Sequence, residues 1–145
     1  MIALASDHAG YEYKEKLKKL LDEMNLPYRD FGTQSSESTD YPDWAHLAAQ
    51  AVSSGECDRG ILICGTGIGM SMVANKHKGV RAAACESVTA ARLARQHNNA
   101  NVLTLGERVA SWESVVDIVK TFLSTSFEGG RHEQRVRKIH SLTDL

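Results

Sequence analysis

The segment "ILICGTGIGMS", residues 61 to 71, joins a cysteine to three glycines in a pattern that could do chemistry. Ile61 to Ile63 read as an apolar strand, Cys64 closes it, and Gly65, Gly67 and Gly69 follow at alternate positions. The backbone N–H groups of such a loop can hold a phosphate or a developing oxyanion without reorganising, each donor contributing about 3 kcal/mol in known enzymes. A thiol beside a helix start favours its thiolate form, which could take a proton from carbon or attack a carbonyl. The dinucleotide fingerprint fails because the third glycine is out of register, and the Walker pattern fails because no Lys-Ser or Lys-Thr follows. On its own, Cys64 fits a small buried hydrophobe as well as a reactive thiol, and the loop fits a tight strand-to-helix turn.

A second group of chemically capable residues stands in "SDHAG", where Asp7 and His8 end the first apolar run. In a parallel sheet this run would deliver an acid and an imidazole to the edge where Cys64 lies. Asp7 is equally suited to cap the following helix, and His8 to lie on the surface. Cys57, in the polar turn "GECDRG", and Cys85, after an alanine-rich run, fit inert positions.

The elements that must position these residues alternate along the chain. Ile2 to Ala5 form a strand, and Leu17, Leu20, Leu21 and Met24 form one apolar stripe of a helix that Asn25 can end. Tyr28 to Phe31 make a short strand before the polar loop "GTQSSESTDYPD", and Trp44 to Val52 make a helix. After the glycine loop come a helix through Met72 to Lys76, strand Val80 to Ala84, helix Ser87 to Gln96, strand Val102 to Leu105 and helix Trp112 to Leu123. Right-handed crossovers then predict an α/β fold, a Rossmann-like three-layer sandwich in which a five-stranded parallel sheet is covered on both faces. Residues 131–142 predict an extra, basic C-terminal helix; 1–145 read as one domain, with 128–145 forming an arm that reaches elsewhere.

Net charge is −1 and charged residues make up 24%, which argues against a nucleic-acid partner, and the apolar stretches fall short of the roughly 20 residues of a membrane span. Three cysteines without C-x2-C spacing, and no leader pattern, point to the cytoplasm. The six histidines show no zinc-type pairing, so neither a metal nor a cofactor is expected.

"ASDHAG", "DFGT", "TDYPD", "GILICGTGIGMS", "GVRAA", "ARLARQHNNANVLTLGERV" and "EGGRHEQRV" occur in the order, and over nearly the span, found in the type B ribose-5-phosphate isomerase family, which the chain resembles. The resemblance implies metal-free isomerisation of ribose 5-phosphate to ribulose 5-phosphate through an enediolate. It implies Cys64 as the base at C2, His97 as the proton donor or ring-opening group, and Gly65, Thr66, Gly67, Ile68 and Gly69 around the enediolate oxygen. Asp7 and His8 would contact the sugar, Tyr41, Asn98 and Arg108 would add contacts, and Arg131 with Arg135 would bind the phosphate. Arg131 and Arg135 are i,i+4 on the last helix and can grip one dianion, although without the resemblance they read as a solvated basic face.

His97 falls between a helix and the strand after it, at the amino edge of the sheet, whereas Cys64 falls at the carboxyl edge. A five-residue strand spans about 17 Å, too far for one side chain to cover. A homodimer or homotetramer with active sites shared between subunits is therefore expected. Two other readings stay open at this point: an isomerase of a six-carbon substrate such as allose 6-phosphate or galactose 6-phosphate, and a non-catalytic phosphate-ligand binding module.

Overall fold

Strands β1 (Ile2–Ser6) and β5 (Val102–Gly106) are buried at every residue, and β3 (Arg59–Cys64) at all but its first. Runs apolar on both faces belong in the middle of a covered parallel sheet. The computed structural model, which describes residues 1–145, has a five-stranded sheet in the order β2-β1-β3-β5-β4, with β2 (Tyr28–Asp30) and β4 (Ala82–Ala84) at its edges. Every pairing is parallel, and the register sets Ser6 beside Ile63 and Cys64 beside Gly106, so the carboxyl ends of the central strands finish together.

Alternation along the strands divides the core in two. Ile2, Leu4, Ile61, Ile63, Leu103 and Leu105 point to the face covered by α1 (Tyr11–Glu23), α4 (Val88–Gln96) and α5 (Trp112–Ser124). Ala3, Ala5, Leu62, Cys64 and Val102 point to the face covered by α2 (Tyr41–Ser53) and α3 (Ile68–Ala74). The Rossmann-like three-layer sandwich expected from the alternation is the fold observed. No helix is long and apolar enough to cross a membrane.

Three details differ from the sequence reading. The helix after the glycine loop starts at Ile68, not near Met72, because Gly67 (φ 81°) turns the chain straight into it. Strand β4 starts only at Ala82, since the N–H of Arg81 is taken by the Asn101 side chain. Helix α6 (Arg131–Thr143) is also less of a free arm than expected, because it docks on its own chain. His132 and Val136 are buried, Arg81 Nη1 donates to His140 Nε2 at 2.9 Å, and the Gly79 N–H donates to the Leu145 carbonyl at 2.8 Å. Ile139 and Leu142 on the same helix remain exposed.

Candidate active site

At the carboxyl edge, between β1 and β3, the strand order reverses, which is where open α/β sheets bind ligands. A cavity of about 230 Å³ opens there, lined by Asp7, His8, Ala9, Tyr41, Cys64, Gly65, Thr66, Gly69 and Arg108. Eight of these nine, all but Ala9, are residues singled out from the sequence.

Asp7 caps the single 3-10 turn at His8–Gly10, its Oδ1 accepting the N–H groups of Ala9 at 2.9 Å and Gly10 at 3.1 Å. The capping and cavity-lining readings therefore hold together. His8 Nδ1 accepts the Thr39 N–H at 3.1 Å, which leaves Nε2 to carry the proton of the neutral ring. Thr39 Oγ1 in turn accepts the Trp44 Nε1–H at 3.0 Å, so the polar loop is pinned to His8.

Cys64 Sγ accepts the Gly67 N–H at 3.1 Å. That bond directs one loop amide to sulfur and away from an incoming oxygen. The Ile68 N–H is directed to Thr66 Oγ1 at 3.2 Å, which leaves the hydrogen of the Thr66 hydroxyl free to donate. At Gly69 a Cβ would stand 2.7 Å from the Tyr41 ring, so only glycine lets Tyr41 close that wall. The other two cysteines lie elsewhere: burial pushes the Cys85 thiol up to about 11, and burial followed by Glu56 pushes Cys57 up.

The remaining predicted residues are not at this edge. His97 caps the C-terminus of α4 and, with Asn98, His132, Arg135, Val136 and Ile139, lines a second cavity of about 420 Å³. Arg131, in the first turn of α6, is exposed and does not line it. The His97 and His132 rings stack at 4.2 Å and 13°. Burial, then His97 and Arg131, push the His132 imidazole down, against a smaller upward pull from Glu128. Ligand atoms of His97, Glu128 and His132 lie within 4.8 Å of one another, the nearest approach here to a three-ligand cation site. Stacked rings hold their lone pairs side by side, however, and Arg131 and Arg135 oppose a cation.

Two buried cations that were not picked out from the sequence organise the edges. Lys14 is fully buried, its Nζ donating to both Asp30 oxygens at 2.7 and 2.6 Å and to the Thr33 carbonyl at 2.7 Å. Burial alone would raise the Asp30 carboxyl, but Lys14, the Gly32 N–H and Lys18 outweigh it and hold the group below its ordinary value. The signal was present, because Lys14 precedes Leu17 by three and Leu21 by seven and so lies on the buried stripe. Arg95 does the same for the turn carrying His97 and Asn98, donating to the carbonyls of Thr125 at 3.0 Å and Ala100 at 2.6 Å and to Asn99 Oδ1 at 3.0 Å.

Comparison with known proteins agrees with this geometry. The profile of a family described as Ribose/Galactose Isomerase matches residues 2–139. Ribose-5-phosphate isomerase B of Escherichia coli is 48% identical over 141 residues, covering 97% of this chain and 95% of that protein. The structure of Clostridium thermocellum ribose-5-phosphate isomerase B superposes with a TM-score of 0.97 at 50% identity, covering 99% of this chain and 97% of that one. That of Mycoplasma genitalium ribose-5-phosphate isomerase B with bound ribulose-5-phosphate superposes with a TM-score of 0.95 at 44% identity, covering 99% and 95%. With a family match over almost its whole length and relatives at this level of identity, the chain belongs to the ribose/galactose isomerase family.

Proposed function

We propose that this chain interconverts ribose 5-phosphate and ribulose 5-phosphate through an enediolate, with Cys64 as the base and no metal ion in the step. One observation carries the reading: Cys64 lines the same small cavity as Asp7, His8, Tyr41, Thr66 and Arg108, at the point where the strand order reverses. The Escherichia coli relative named as a ribose-5-phosphate isomerase, and the Mycoplasma genitalium structure with its bound ketose phosphate, support the choice of substrate.

The Cys64 thiolate removes the C2 proton as the C1 carbonyl oxygen takes the enediolate charge; the hydroxyl proton passes from O2 to O1, and the resulting thiol returns its proton to C1 as the ketose carbonyl forms at C2. Aldose and ketose are isomers, so no electron acceptor is consumed. The Gly67 amide steadies the sulfur, while the Thr66 hydroxyl, the Arg108 guanidinium and the loop amides not already engaged meet the charge on oxygen. Asp7 and the His8 Nε2–H orient the sugar hydroxyls.

His97, Asn98, Arg131 and Arg135 lie beyond the reach of this cavity within one chain, so the reading assigns them to a second copy across a two-fold axis. There His97 serves the ring oxygen, and Arg131 and Arg135 take the phosphate. The exposed side chains of Ile68 and Met72 beside the glycine loop, and of Ile139 and Leu142 on α6, are apolar surface that such a partner would cover.

The test is turnover of ribose 5-phosphate beside allose 6-phosphate and galactose 6-phosphate. Activity on the five-carbon substrate that survives a strong chelator and falls about a thousandfold in Cys64→Ala is expected. Preference for a six-carbon substrate, or phosphate binding without turnover, overturns the reading. Mixing Cys64→Ala with His97→Ala chains should restore about a quarter of the activity through hybrid sites, and no recovery overturns the shared site.

A further inference from the structure

We propose that His46 and His77 form a binding site for a divalent transition-metal ion of the nickel or copper kind, separate from the isomerase machinery. His46 Nδ1 on α2 and His77 Nε2, just beyond α3, stand 2.8 Å apart. Neither residue lines the cavity at Cys64 or the one at His97.

The protonation of the pair follows from its backbone partners. His77 Nδ1 lies 3.1 Å from the Val73 carbonyl and 3.3 Å from the Ala74 carbonyl, at the end of α3. A carbonyl can only accept, so Nδ1 carries the proton and Nε2 presents a bare lone pair. A backbone carbonyl behind the ring is the support that commonly orients a metal-ligating histidine. The hydrogen shared with His46 then belongs to His46 Nδ1. A cation replaces that hydrogen once the exposed His46 ring takes its other tautomer, with the proton on Nε2.

The geometry suits that exchange. Two nitrogens each about 2.0 Å from a metal and at right angles around it stand about 2.8 Å apart. The ring centroids are 4.9 Å apart with planes at 40°, so the rings are not stacked and their lone pairs can converge. At His97 and His132 the stacked rings prevent that convergence. Exposure of His46 leaves room for water at the other coordination positions. Lys76 and Lys78, exposed on either side of His77, oppose the cation and keep its affinity moderate. Of the divalent metals, copper and nickel bind imidazole strongly and accept cis right-angle pairs.

Titration of the intact protein with Ni²⁺, read by calorimetry and by the shift in melting temperature, tests the site. We expect one equivalent to bind and to raise the melting temperature. His46→Gln and His77→Gln should each weaken binding about tenfold or more and abolish the shift, while isomerase activity stays at the wild-type level. In His132→Gln and Cys64→Ser the Ni²⁺ binding should persist. No binding to the wild type, or binding kept in both His46→Gln and His77→Gln and lost in His132→Gln or Cys64→Ser, overturns the proposal.

Discussion

The two edges of the sheet are each organised by a buried cation, and the two are satisfied differently. At the carboxyl edge Lys14 is paired with a carboxylate, Asp30, with side-chain exposures of 0% and 13%. Through Asp30 and Thr33 it fixes the segment that hydrogen-bonds to Ser6, directly ahead of Asp7 and His8. At the amino edge Arg95 donates only to neutral oxygens, and burial, then Arg59 and Arg81, push its guanidinium down to about 10, which still leaves it charged at neutral pH. At the first edge the buried cation has its charge balanced by a carboxylate. The second has unpaired positive charge, an exposed arginine pair and apolar side chains facing solvent. An edge finished in that way suits a surface that meets an anion and a second copy of the chain.

Several experiments would break or sharpen this contrast. The largest effect expected is the thousandfold loss of kcat in Cys64→Ala, with folding intact, since the thiol makes only one hydrogen bond. Lys14→Met comes next. It leaves Asp30 buried without its main partner and should cost about 3–5 kcal/mol in denaturant unfolding. Arg135→Ala should raise KM about tenfold with a smaller change in kcat if, as proposed, it removes a charge-assisted phosphate contact. Arg95→Met strands only neutral acceptors and should cost about 1–3 kcal/mol. If Arg95→Met were as damaging as Lys14→Met, the distinction between the edges would fail.

The same contrast predicts a pH response. Asp30 titrates below its unfolded value, so the native state binds fewer protons than the unfolded state between the two values. The stabilisation is complete above the unfolded value of about 4 and is lost as pH falls through the native one. Acid unfolding followed by circular dichroism should show this loss in the wild type and not in Asp30→Asn. Thiol labelling is the gentlest test: an alkylating reagent should modify Cys64, which lines a cavity, and spare Cys57 and Cys85, whose thiols burial holds protonated.

The sheet was legible because its three central strands are apolar on both faces, a pattern that leaves few alternatives. Asp7, His8 and the start of the glycine loop were legible for a related reason, since they follow directly on strand ends, whereas Tyr41 and Arg108 came only with the family resemblance. Helix α6 was harder, because a strongly basic segment with few apolar residues gives little sign of where it docks. Its anchors, His132 and Val136, are set by tertiary contact with the chain around His97. Lys14 was passed over because a lysine on an apolar stripe is usually assumed to extend its charge into water, and only the Asp30 carboxylate from a separate strand makes its burial possible.

Gly10 carries one more consequence. A Cβ at that position would stand 2.3 Å from the Ile63 carbonyl oxygen, and the Asp7 N–H donates to the same oxygen at 3.3 Å. Asp7 and His8, which line the cavity, are thereby riveted, main chain to main chain, to the strand that carries the sulfur. A ruler made of backbone cannot be lengthened by swapping side chains. On the proposed reading, a sugar one carbon longer or shorter would have to be met by other walls of the site, Tyr41 or the arginines of a second copy, which ride on a helix held by only a few anchors.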